Sequence, residues 1–368
     1  MSKVDSLSII VGARPQFIKL APLYKSLASL FDITIIHTGQ HFDSNMSDIF
    51  FTQMNIPAPT HSLAISSGTH GEQTGRMLIE IEKKLLESRP DLTVVFGDTN
   101  STLAGALASS KLNIPVLHIE SGLRSFDRSM PEEQNRILTD HISTYLACPC
   151  ENAANNLRKE GITSNVFNTG DLMFDAALHY LDVAKSHSVS KDIDNLLSYI
   201  VPRNHFCLLT IHRASNTDNP IVLEALLDTL GQTGIEFIFP IHPRTKKMIT
   251  QFNIRLPESI HLIDPVGYLE MLLLIDRCEK VVTDSGGLQK EAFFLNKICI
   301  TLRDTTEWIE LLDLGVNFLT FDTPIHLNKP LLIKKLADSV LFPTTFSDST
   351  PYGNANASEK ISDLILSF

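Results

Sequence analysis

Short, mostly apolar runs alternate with longer stretches in which apolar residues return every third or fourth position, and the alternation starts at once. Residues 7–11 (Leu-Ser-Ile-Ile-Val) read as a strand, Gly12 punctuates it, and Leu20, Leu23, Leu27 and Leu30 then mark a helical stripe. Residues 33–37 form the next strand, and Met77, Leu78, Ile81 and Leu85 line one side of a later helix. Residues 92–96 and 115–119 carry the branched residues of buried parallel strands, with an Ala-rich helix around 102–111 between them. Pro131 opens a helix expected to turn Ile137, Leu138, His141, Ile142 and Tyr145 inward. This βαβα succession predicts a doubly wound parallel sheet.

The rhythm fades between about Lys185 and Asn204, where Ser, Asp, Pro and Asn accumulate. A second strand–helix series follows, with strands at 206–211, 236–240, 280–283 and 298–302. The expected fold class is therefore α/β, two Rossmann-like doubly wound domains facing a cleft. The expected division is an N-terminal domain at 1–184, a linker at 185–204, a second domain at 205–352, and a closing helix at 353–368. A length of 368 residues suits two cores better than one.

Composition narrows the function. No apolar run approaches the ~18 residues of a spanning helix, and Met-Ser-Lys-Val-Asp-Ser lacks a signal-peptide pattern, so no membrane partner is expected. Five scattered cysteines read as reduced core residues of a cytoplasmic protein. A net charge of −11 argues against a nucleic-acid partner but leaves room for an anionic small ligand held by local arginines. His37 and His41 are separated by a turn at Gly39 and lack further ligands, so no metal is expected. No Gly-x-Gly-x-x-Gly or Walker lysine follows any strand, which weighs against nicotinamide binding or ATP hydrolysis.

Candidate chemistry lies at strand ends, where ligands bind in open parallel sheets. Asp98 and Glu120 end strand-like runs and Glu132 opens a helix, so all three could line one crevice and serve proton transfer at a carbon. Asp98 could instead cap the following helix, and Glu132 could simply favour the positive end of its helix dipole. The turn at Gly12 carries Arg14 and Lys19 and offers backbone N–H groups of a helix start to an anion. In the second series Ser285-Gly286-Gly287 could cradle a pyrophosphate, with Glu291 reaching a ribose. His212 and Arg213 end its first strand, and His242 follows another strand in a similar setting.

Taken together, residues 12–19 (Gly-Ala-Arg-Pro-Gln-Phe-Ile-Lys), 38–41 (Thr-Gly-Gln-His), 97–99, 120–124, 131–136, 284–291, 303–307 and the Pro-Tyr-Gly at 351 resemble the non-hydrolysing UDP-N-acetylglucosamine 2-epimerase family over nearly the whole chain. The resemblance implies a GT-B glycosyltransferase-like fold whose last helix crosses back to the first domain. It implies inversion at carbon 2 of a UDP-linked 2-acetamido sugar through a 2-acetamidoglycal, without cofactor or metal, in a homodimer. Asp98, Glu120 and Glu132 match the family's acid–base carboxylates. Arg14, Lys19, Arg136, His212, Ser285, Gly286 and Glu291 match positions assigned to the UDP-sugar, and Gln40, His41, Arg213, His242, Gly287 and Arg303 stand beside them as binding candidates; His212 is counted with the catalytic set as well.

Three departures bear on the substrate. Trp308-Ile-Glu310 stands where the family commonly has Arg-Pro-Glu, residues 125–131 form a shorter loop, and Phe-Asp-Ser follows His41. Residues 69–78, 264–270 and the Thr-Glu-Trp at 306–308 look like the subgroup acting on UDP-2,3-diacetamido-2,3-dideoxy-glucuronate. That sugar is the expected substrate, with UDP-N-acetylglucosamine next. Competing readings are a hydrolysing epimerase, a GT-B glycosyltransferase and a non-catalytic nucleotide-sugar sensor.

Overall fold

The computed structural model describes residues 4–40, 56–186, 188–201, 205–339, 342 and 350–368. The chain divides into two units, Met1–Ala176 with Ser347–Phe368, and Ala177–Phe346. No helix among the described residues is long and apolar enough to cross a membrane.

The first unit is built on a seven-stranded sheet in the order β3-β2-β1-β4-β5-β6-β7. Its strands are β1 (Ser6–Val11), β2 (Asp32–His37), β3 (His61–Ser62), β4 (Leu92–Phe96), β5 (Val116–Ile119), β6 (Tyr145–Cys148) and β7 (Val166–Asn168), all paired in parallel. Beneath it, Met77, Ile81 and Leu85 of the helix His70–Ser88 pack with Ala104 and Ala108 of the helix Asn100–Lys111 and with Ile10, Ile36 and Val95 of the sheet. The small side chains of the second helix let it lie close to the strands. The closing helix Ala357–Leu366 belongs to this unit and packs on the helix Arg14–Leu27. Asp175 fixes its start by accepting the N–H groups of Ala357 and Ser358.

The second unit carries a six-stranded parallel sheet in the order β10-β9-β8-β11-β12-β13. These strands are β8 (Cys207–Thr210), β9 (Phe237–Pro240), β10 (Ile260–Ile263), β11 (Lys280–Thr283), β12 (Ile298–Thr301) and β13 (Asn317–Leu319). Leu209, Phe237, Phe239, Val282 and Ile300 build its core with Leu223, Leu226 and Leu230 of the helix Pro220–Gly231.

Both sheets reverse winding direction once. In the first unit the strands run outward from β1 to β3 and then from β4 to β7, so the switch lies between β1 and β4. In the second it lies between β8 and β11. Loops at the carboxyl ends of such neighbours splay apart and leave a crevice for a ligand.

Two stretches depart from expectation. The segment expected as linker contains the helix Ser188–Ile200, with Ile193 and Leu197 buried and packing against the helix Tyr268–Arg277. Its apolar stripe is interrupted by enough Ser and Asp to pass for a loop. The helix Pro131–Ile142 meets that expectation only in part: Ile142 packs on the core, but Leu138 and His141 are exposed, Glu133, Asn135, Thr139 and Asp140 are buried, and Tyr145 lies in β6 rather than on the helix. The inner face of this helix is polar because it closes over the site described next.

Candidate active site

The crevice of the first unit gathers the residues that end β4 and β5. Asp98 lies just past β4, after Gly97, and Thr99, not Asp98, is the N-cap of the next helix, its hydroxyl accepting the Thr102 N–H. Capping therefore does not explain Asp98. Its carboxylate instead accepts from Arg136 Nη2 at 2.5 Å, and Asn135 Nδ2 donates to its backbone carbonyl at 2.9 Å. Burial holds the Asp98 carboxyl above the usual range. Arg136 and Lys19 oppose that shift, and the charges of Glu120 and Glu132 add to it.

Glu120 ends β5 and carries a left-handed φ of +68°. That conformation is uncommon outside glycine, and it is fixed by the N–H groups of Glu120 and Ser121, which both donate to the Ala147 carbonyl. The side chain, 14% exposed, pairs with the ammonium of Lys19. Gly97, with φ +62°, lets β4 pass beside it; an added Cβ there would sit 3.0 Å from Glu120 Oε2. Backbone strain of this kind accumulates where a side chain must be aimed.

Glu132 lies on the exposed side of the first turn of its helix, and its charge reaches Asp98. The structure thus brings Asp98, Glu120, Arg136 and Lys19 into one electrostatic cluster, with Glu132 at its border.

Beside this cluster, at β1, the expected anion cradle is largely spent. Gly12 N and Ala13 N both donate to Gln16 Oε1, at 2.7 and 3.0 Å, and Pro15 has no N–H. Gln16 Nε2 donates in turn to the Phe96 carbonyl, locking the β1 turn to the end of β4. Gly12 is required here, since a Cβ would fall 2.1 Å from Ser101 Oγ and 2.2 Å from Thr38 Oγ1. Lys19, buried, turns to Glu120, and Arg14 at the start of the same helix is exposed. Gln40 accepts from Ser101 N and Oγ, and His41 lies outside the described residues.

A second buried network underlies the acids. His118 of β5 bridges Asp140 Oδ1 at 2.7 Å and the Gly97 carbonyl at 2.8 Å, and Asp140 Oδ2 accepts from Arg124 and from Gly122 N. Burial alone would raise the Asp140 carboxyl; His118 and Arg124 outweigh it and hold it below the ordinary carboxylate range. The residue before Asp98 and the strand leading to Glu120 are thereby tied together. Apolar periodicity hides Glu133 and Asp140, because it gives their helix a different inner face, and His118 is hidden inside the otherwise apolar β5.

At the switch point of the second unit, Asp284 occupies the centre. Fully buried, it accepts from the N–H groups of His212 and Arg213, from Asn216 Nδ2, and from His212 Nδ1 at 2.9 Å. Those donors hold its carboxyl below the usual range although burial pushes the other way. This fixes the His212 ring and makes Nε2 the atom that can meet a ligand. Sequence reading had taken the following Ser285 and glycines and omitted Asp284.

Ser285 caps the helix Gly286–Phe294, accepting from Leu288 N, with Gly286 and Gly287 in its first turn and Glu291 buried further along. Arg303 pairs with Glu307 at 3.0 Å. Burial and the nearby charge of Arg303 hold Arg213 below its usual range. His242 follows β9 with its ring 5.9 Å from that of His212; burial and the His212 charge lower its pKa. Trp308 donates its indole N–H to the Gly286 carbonyl at 2.8 Å and has the Lys290 ammonium 4.2 Å from its ring centre. The residue that replaces a family arginine therefore braces the glycine turn. Histidine, two arginines and an N-capped glycine turn at neighbouring strand ends are donors of the kind that could hold an anion such as phosphate.

Comparison with known proteins identifies the family. The family model described as UDP-N-acetylglucosamine 2-epimerase matches residues 25–366. The chain belongs to the UDP-N-acetylglucosamine 2-epimerase family. Within it, the chain is 47% identical over 365 residues to the UDP-N-acetylglucosamine 2-epimerase of Methanocaldococcus jannaschii, covering 96% of this chain and 97% of that protein. It is 44% identical over 364 residues to the UDP-2,3-diacetamido-2,3-dideoxy-D-glucuronate 2-epimerase of Pseudomonas aeruginosa, covering 97% and 98%. The crystal structure of the Methanocaldococcus jannaschii enzyme in complex with UDP-GlcNAc and UDP matches with a TM-score of 0.83 at 44% identity, over 99% of this chain and 100% of that one. Two parallel-sheet Rossmann-like units in one chain are the GT-B-like class of this epimerase family. Among the described residues no three His, Cys, Asp or Glu side chains gather as metal ligands would.

Proposed function

We propose that this epimerase-family chain inverts carbon 2 of a UDP-linked 2-acetamido sugar by elimination and re-addition of UDP. The observation that carries the reading is the cluster of Asp98, Glu120, Arg136 and Lys19 at the β1/β4 switch point, in a member of this family. One carboxylate removes the carbon-2 proton as the bond from carbon 1 to the diphosphate oxygen breaks, leaving a carbon 1–carbon 2 double bond. UDP departs with the bonding pair. In the return step UDP adds to carbon 1, and a second carboxylate delivers a proton to the other face of carbon 2. Asp98, Glu120 and Glu132 are the groups assigned to these transfers, with Lys19 and Arg136 compensating their charges.

A carbon-bound hydrogen at this position is a weak acid, so stabilising the departing diphosphate must lower much of the barrier. His212, Arg213, Arg303 and the turn Ser285–Gly287 are assigned to the diphosphate, and Arg14 is assigned to the UDP-sugar. Glu291 is assigned to the ribose. The substrate proposed first is UDP-2,3-diacetamido-2,3-dideoxy-glucuronate, with UDP-N-acetylglucosamine second; a relative named for each sugar supports the pair. A homodimer in the cytoplasm is the assembly and setting that accompany this reading, and sedimentation equilibrium tests the dimer.

Proton NMR of both UDP-sugars in deuterated water tests the function. The expected result is a gluco/manno mixture with deuterium at carbon 2 and UDP retained on the sugar. Accumulation of free UDP would mark a hydrolysing enzyme, and unchanged carbon-2 stereochemistry without exchange would end the proposal.

A further inference from the structure

Of the two acids that open the helix Pro131–Ile142, Glu133 is the buried one, 1% exposed. Its Oε2 accepts from Ser125 N at 2.9 Å and from Arg136 Nη1 at 3.0 Å, and its Oε1 accepts from Phe126 N at 3.0 Å. The other terminal nitrogen of Arg136 goes to Asp98. A single guanidinium is thus divided between two carboxylates. The loop at the far side of Glu133 is also set by it: Phe126 has a left-handed φ of +59° while its side chain stays exposed.

We propose that Glu133 is a positioning residue for Asp98, holding Arg136 by Nη1 so that only Nη2 reaches the Asp98 carboxylate. The inference rests on the acid–base role proposed for Asp98. Asp98 is faced by Arg136 and Glu132 from the helix, by Glu120 from the end of β5 and by Lys19 from the helix Arg14–Leu27. His118 stands one residue away, on the Gly97 carbonyl. An arginine given wholly to Asp98 would keep that carboxylate ionised and make it a poor proton carrier. Sharing Arg136 with Glu133 moderates its pull, in keeping with an Asp98 carboxyl that lies above the ordinary range through burial. The two backbone N–H bonds keep Glu133 ionised and in place; they outweigh burial, together with Arg136, in holding its own carboxyl low.

The test is the titration of the Asp98 carboxyl carbon in protein labelled with ¹³C-aspartate, the resonance being assigned from the Asp98→Asn spectrum. In Glu133→Gln the Asp98 titration is expected to move down by about one pH unit. Turnover at neutral pH should fall about tenfold with KM little changed, and one limb of the kcat profile should move down with the titration. If Asp98 titrates where it does in the wild type while turnover falls, Glu133 only anchors the loop and the proposal is overturned. Should Glu133→Gln fail to fold, Glu133→Asp keeps the charge but draws it back by one methylene; a smaller downward movement supports the proposal and none refutes it. Full activity in Asp98→Asn would strike the acid–base role alone, since the displaced titration is read without turnover.

Discussion

Glu120 shows how much a single position carries. Its left-handed backbone, its pairing with Lys19 and the glycine that passes beside it all aim one carboxylate. Glu120→Gln keeps the shape and removes the base, so carbon-2 exchange should slow by a factor of ~10²–10⁴ while UDP affinity stays near wild type; NMR exchange and calorimetric titration with UDP measure the two. Asp284 acts by aiming another group. In Asp284→Asn the His212 ring loses its charged anchor, and turnover should drop by about a hundredfold, read from the same NMR assay. The strand-end acids Asp98 and Glu120 and the Ser285 turn were legible in the sequence, because strand ends are marked by glycine and by the end of an apolar run. Asp284, Glu133 and His118 were not, because nothing local tells a buried hub from a solvated polar residue.

Among elements, the helix Pro131–Ile142 is the least ordinary. Strands such as β4 and β11 were legible because they are short, rich in branched residues and follow a break in the helical spacing. This helix defeats the same logic by burying carboxylates and amides and exposing Leu138. The energetic consequence is testable. Asp140 and Glu133 titrate lower in the folded protein than their ordinary values. Their contribution is therefore present above the unfolded carboxylate range (~4) and is lost as pH falls through it toward the depressed values. The wild type should lose stability steeply below about pH 4. Asp140→Asn, which leaves Arg124 and His118 without their shared anion, should be destabilised by about 3 kcal/mol at neutral pH and show a shallower acid loss; urea unfolding across pH checks both. Apolar stripes diluted by polar residues, as in Ser188–Ile200, were misread for a simpler reason: composition there suggested a loop more loudly than spacing suggested a helix.

At the scale of the molecule, the first unit is discontinuous in sequence and is closed by residues on both sides of the second. The helix Ala357–Leu366 covers the helix Arg14–Leu27 with the fully buried Ile361 and Ile365 and is held by Asp175. Deleting residues 355–368 should uncover that apolar face, lower the first unit's thermal transition and leave the second unit's in place; differential scanning calorimetry with limited proteolysis distinguishes them. Gly97→Ala offers a contrasting case. It forces an alanine to φ +62° beside Glu120 and should depress turnover more than it depresses the melting temperature.

The same discontinuity dictates an order of events during synthesis. The helix that completes the first unit is made only after residues 177–346, so the second unit emerges from the ribosome whole while the first still waits for its last piece. On the proposed reading, the unit assigned to the nucleotide is made in full before the unit assigned to proton transfer receives its covering helix.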